Sequence, residues 1–115
     1  MEEDKFEERR SWPRIHLMCP VLLRGSTREY HGLIRNISAR GAAVEIAEEL
    51  PDRKQYALEF ILPDGPEIKV AGVMQWAIPQ GEVFLYGIKF TNVGIFDILR
   101  LKSYIGKRAK SRPRP

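Results

Sequence analysis

The sequence is poor in the residues that build reactive centres. It has one cysteine, Cys19, and two histidines, His16 and His31. A single thiol cannot close an internal disulfide, which points to a reducing, cytoplasmic setting. His16 and Cys19 have a ligand-like spacing, but this supply of ligands is too small for a structural zinc site. No acid–base pair is marked by spacing, and Ser38 has no evident base to activate it. The chain is therefore expected not to be an enzyme and to need neither metal nor cofactor. No apolar run approaches the roughly 18 residues of a membrane-spanning helix. The start, Met1-Glu2-Glu3-Asp4, is acidic and unlike a secretory signal.

What is present suits one folded domain: 115 residues, 43% hydrophobic and 30% charged. The formal net charge is +4, but residues 107–115 carry five positive charges and no negative ones, which leaves −1 for the remainder. The basic character thus belongs largely to the tail. The simplest reading of 107–115 is a solvated, disordered end, with nonspecific contact to RNA, DNA or anionic lipid as the alternative. Residues 1–8 read as a flexible, charge-dense arm and 9–106 as the domain. Pro13 pushes Trp12 towards extended geometry, so no helix is expected through 10–14. Trp12 itself could stack on a ligand or anchor the arm.

Apolar alternation predicts strands. Tyr56, Leu58, Phe60 and Leu62 share one face, as do Ile68, Val70, Gly72, Met74 and Trp76, and then Phe84, Tyr86, Ile88 and Phe90. Turns at 63–66 and 79–81 make this an antiparallel meander over about 56–90, with Trp76 and Phe90 expected in the core. Shorter strands are expected at 20–24, 30–38 and 42–46. Six short strands suggest an all-β barrel or sandwich. After Phe90 the period becomes helical through Ile95, Ile98 and Leu99, with Asn92 as a possible cap and Gly106 as a stop. A helix there would cover one end or edge of the barrel.

Two short motifs remain. Arg10 and Arg14 form an R-x-x-x-R, preceded by Arg9, and Asn36-Ile37-Ser38-Ala39-Arg40-Gly41 forms an N-x-S-x-x-G. On an extended strand Asn36 and Ser38 would share a face, roughly 7 Å apart. Gly41 would permit positive φ or a close backbone approach. Each motif alone also has a plain reading, as a solvated basic arm and as a strand-end turn in which Ser38 satisfies local backbone groups.

In combination and in this order, the two motifs and the downstream Trp76 and Gly87-Ile88-Lys89-Phe90 make the chain resemble the PilZ domain family over roughly residues 8–105. The resemblance implies a six-stranded antiparallel β-barrel with a C-terminal α-helix, a bacterial source, and binding of the second messenger cyclic di-GMP. Carried over by position, the ligand-binding residues would be Arg10, Arg14, Asn36, Ser38 and Gly41. Arg9 would go with binding of a stacked pair of ligands, two per protomer. These residue types suit the ligand. A guanidinium can bond guanine O6 and N7 or a phosphate and can stack on a base. Asn36 can donate and accept along a guanine edge, Ser38 can bond phosphate or base, and Gly41 keeps a side chain away. Lys89 could also reach the site from its strand end. Binding would order the arm, and output would pass to an unidentified effector protein. The alternatives are a PilZ-like protein adaptor without nucleotide binding and an OB-like barrel for single-stranded nucleic acid, which the near-neutral body argues against.

Overall fold

Each alternating segment buries one face and leaves the other in water, which a sheet satisfies and a helix does not. The computed structural model describes residues 13–51 and 55–111. The strands are β1 (Ile15–Arg24), β2 (Glu29–Ile37), β3 (Gly41–Ile46), β4 (Gln55–Ile61), β5 (Glu67–Gln80) and β6 (Val83–Asn92), followed by helix α1 (Ile95–Ser111). Neighbouring strands are antiparallel and close into a barrel in the order β1-β2-β3-β6-β5-β4. Two meanders, β1–β2–β3 and β4–β5–β6, thus join edge to edge, and closure leaves no unpaired sheet edge. The six-stranded barrel with a C-terminal helix is the fold that the resemblance implies.

The inward faces follow the alternation. Tyr56, Leu58 and Phe60 meet Ile68, Val70, Met74, Tyr86, Ile88 and Phe90 in one core. At one barrel end the connection after β3 is tied down by Tyr86, whose hydroxyl accepts from Leu50 N at 2.7 Å and donates to Glu48 O at 3.2 Å. At the other end α1 inserts Leu101 and Ile105, both fully buried. Burial of each such side chain contributes about 1.5–3 kcal/mol.

Trp76 departs from the sequence expectation: it is 44% exposed, not in the core. The pairing of β5 with β6 skips a residue between Met74 and Trp76, so Gln75 is extra and the chain after it changes face. The turn after β5 is also tighter than expected. Gln80 still pairs with Val83, and Gly81-Glu82 alone reverses the chain.

Two expectations about the helix are corrected. Asn92 is still paired in the sheet with Ala71, and the first helical bond runs from Ile98 N to Gly94 O at 2.9 Å. Gly106 does not end α1, which continues to Ser111, so residues 107–111 are helical and do not belong to a structureless tail. An interior glycine costs about 1 kcal/mol, and tertiary contacts offset it. Tyr104 Oη donates to Pro63 O at 2.7 Å, Arg108 Nη2 donates to the same carbonyl at 3.0 Å, and the Arg108 guanidinium lies 4.8 Å above the Tyr104 ring. The arm 1–8 and residues 112–115 lie outside the described residues.

Candidate functional site

Irregularities in β1 and β2 aim the candidate side chains. Between the pairs His16↔Asn36 and Cys19↔Ile34, Leu17 and Met18 face Arg35 alone. On the other side of β2, pairing passes from Ile34↔Val44 to Asn36↔Ala43, so there Arg35 is itself the extra residue. Ile34 and Ile37 both point inward, and Asn36 between them is turned outward. Without the bulge, strict alternation from Ile34 would put Asn36 in the core. Arg35 is exposed, and its Nη1 donates to Glu45 Oε1 at 2.7 Å.

Arg14 immediately precedes β1 and donates from Nη1 to Asn36 Oδ1. Partial desolvation draws the Arg14 pKa down from its ordinary value, and a guanidinium remains charged at any physiological pH. With its oxygen engaged by Arg14, the Asn36 amide has its two N–H donors to offer. The first motif residue that the structure describes thus meets the first residue of the second motif across 22 positions of sequence. Arg9, Arg10 and Trp12 lie outside the described residues.

Ser38 and Gly41 play a different part. Ser38 lies past the end of β2 and does not share a strand face with Asn36. It is 2% exposed, and its Oγ accepts from Arg40 N at 3.1 Å. Ser38 N donates to Gly41 O at 2.8 Å, and Phe90 N donates to Arg40 O at 2.8 Å. The motif is a turn locked to itself and to β6. A Cβ on Gly41 would stand 2.5 Å from Ile88 O, so glycine is required here by the approach of two backbones.

Register extends the site around the barrel. His16, Asn36, Ala43, Gly87 and Trp76 are successive partners across β1, β2, β3, β6 and β5. Ala43 lies outside the inward core cluster although only 4% exposed. The Trp76 indole lies over Gly87, where any Cβ would collide with it. The row is therefore a small-residue floor bounded by the Arg14–Asn36 pair and by an aromatic ring. At about 4.8 Å per strand, Asn36 and Trp76 are about 14 Å apart, the scale of a dinucleotide. The row holds no carboxylate, and exposed Lys89, the partner of Gly41, stands beside it. Sequence alone places Trp76 in the core, not at a ligand face, and does not single out the Ala43–Gly87 floor. Small residues at outward strand positions were the available signal.

A groove of about 440 Å³ lies elsewhere, centred on β1 and lined by His31, Glu59, Ile61 and Glu67 among others. Its two carboxylates oppose an anionic ligand. Among the described residues no cluster of His, Cys, Asp and Glu could hold a metal ion.

The family model of the PilZ domain matches residues 8–107, and the chain belongs to that family. Among solved structures it is similar to Bacillus subtilis MotI/DgrA, an inhibitor of motility, at 22% identity and a TM-score of 0.79, covering 90% of this chain and 52% of that one. It is similar to YcgR in complex with c-di-GMP from Escherichia coli at 13% identity and a TM-score of 0.75, covering 89% and 46%. The PilZ domain of CeSA from a cellulose-synthesizing bacterium follows at 16% identity and a TM-score of 0.61, covering 84% and 98%. The chain spans about half the length of the MotI/DgrA and YcgR chains. No curated protein sequence matches it.

Proposed function

We infer that the protein is a receptor for cyclic di-GMP and not an enzyme. The observation that carries this reading is the charged Arg14 guanidinium seated on the Asn36 amide at the head of a carboxylate-free row that ends under the Trp76 ring. The ligand carries two phosphodiesters and two guanines, and the row offers complements to both. Arg14 and Arg10 bond phosphate or a guanine edge, the Asn36 amide donates to a base, and Trp76 supplies a face for purine stacking. Ser38 and Gly41 act by holding the turn. Arg9 adds the further positive charge that a stacked ligand pair calls for, and two ligands bind per protomer. A complex of this kind in the structural relative YcgR supports the reading.

Arg14 is already seated on the wall; binding draws residues 9–12 onto it as well, and the ordered arm presents a new surface to an effector protein. Titration calorimetry of the full chain with cyclic di-GMP tests this, with an expected stoichiometry of two and loss of binding in Arg10→Ala and Arg14→Ala. No heat with the intact chain would leave a protein-binding adaptor as the reading. Amide exchange across residues 1–14 is expected to slow on saturation.

A further inference from the structure

The outward face of α1 has no part in the nucleotide reading. Leu101 and Ile105 point into the barrel, but Ile95, Phe96 and Leu99 on the first turns are 68%, 72% and 56% exposed. These spacings place them together on the side away from the core. A surface helix normally leaves polar residues there. The same helix and the residues after it are strongly cationic. Residues 95–115 contain seven Lys and Arg, namely Arg100, Lys102, Lys107, Arg108, Lys110, Arg112 and Arg114, against Asp97 alone. That is a net +6, which leaves −2 for residues 1–94. Charge is thus segregated onto the element that also exposes apolar side chains.

We propose that α1 docks the protein on anionic phospholipid membranes, with Ile95, Phe96 and Leu99 entering the headgroup boundary and Arg100, Lys102 and Lys107 resting on the lipid phosphates. The helix is about 25 Å long, and its cations are spread along it, which matches an extended negative plane better than a compact anion. A second copy of the chain is a poor occupant, because two such helices would repel. Interfacial helices of this kind combine an apolar wedge with a Lys/Arg-rich flank. No helix among the described residues is long and apolar enough to cross a membrane, so docking is peripheral. The inference stands apart from the nucleotide site, since none of its residues belongs to the Asn36–Trp76 row.

Co-sedimentation of the full chain with vesicles tests it. We expect binding to phosphatidylcholine vesicles containing about a third phosphatidylglycerol, none to phosphatidylcholine alone, and loss of most binding at about 0.5 M salt. The double variant Phe96→Ser/Leu99→Ser is expected to bind roughly tenfold more weakly with unchanged circular dichroism, as both side chains are exposed. Lys107→Glu/Lys110→Glu is expected to lose binding, while Arg14→Ala leaves it intact. Absence of binding to anionic vesicles overturns the proposal. So does binding indifferent to Phe96 and Leu99, which would be adsorption by charge alone. A Phe96-dependent dimer, or vesicle binding seen only after deletion of residues 1–8, would assign the patch to a second copy or to the chain's own acidic segment and equally overturn it.

Discussion

The wall formed by β2, β3, β6 and β5 and the wall centred on β1 and β4 belong to one barrel but dispose their charge differently. On the second wall Arg24 bonds Glu59 at 2.9 Å and Glu29 at 2.6 Å, and the Glu59 hydrogen bond and charge, followed by that of Glu29, raise its pKa. On the first wall the described partner of Arg14 is the neutral Asn36 amide, and desolvation draws its pKa down. Arg24 is already neutralised, whereas Arg14 still has a charge to offer to an anion. The groove of about 440 Å³ is centred on β1 of the second wall, and Glu59 of β4 and Glu67 at the start of β5 line it. The proposed site is thus chosen by uncompensated charge over a floor of small residues, and not by concavity.

The largest expected effect contrasts the two arginines. Arg14→Ala should weaken cyclic di-GMP at least 100-fold, the scale of losing a charge-assisted bidentate contact, whereas Arg24→Ala should stay within about twofold because exposed ion pairs contribute little. Equal losses in calorimetry would erase the distinction. Next comes the turn beside the floor of the first wall. Gly41→Ala should destabilise the barrel by about 1–3 kcal/mol in urea unfolding, since the Ile88 carbonyl that blocks the new methyl is backbone.

A smaller effect is expected at the far end of the row. Trp76→Ala should cost roughly tenfold in ligand affinity, the value of one base-stacking contact, with little change in unfolding because the ring is largely outside the core. A large stability loss with unchanged affinity would make Trp76 a packing residue.

The smallest effect lies inside the second wall. The Tyr56 hydroxyl is buried without a hydrogen-bond partner among the described residues, and its pKa is pushed up to about 12 by burial, then by Tyr30 and Tyr86. The neutral phenol is favoured in the fold, so its contribution to stability is complete below the unfolded pKa of about 10 and is lost as pH rises through about 12. Tyr56→Phe should be neutral or slightly stabilising at pH 7. It should also make the alkaline loss shallower in denaturant titrations, without abolishing it, because Tyr86 and Tyr104 are shifted the same way.

Alternation at Tyr56–Leu62 and Phe84–Phe90, and a helical period through Ile95, Ile98 and Leu99, were legible in the sequence because strand and helix periods are local properties of the backbone, but the face that packs is set by the barrel: Ile95 and Leu99 are exposed, and Leu101 and Ile105 are buried. That Arg14 and Asn36 could serve one site was suggested only by the combination of motifs, since neither residue alone stands apart from a basic arm or a strand-end turn; their direct hydrogen bond was not legible. Arg35 as a bulge, the outward turn of Asn36 and the exposure of Trp76 after Gln75 depend on which residues of neighbouring strands pair, and no single strand encodes that register. The persistence of α1 beyond Gly106 has the same origin. It rests on the Pro63 carbonyl, 45 positions before Arg108, which only the closed barrel brings beneath the helix.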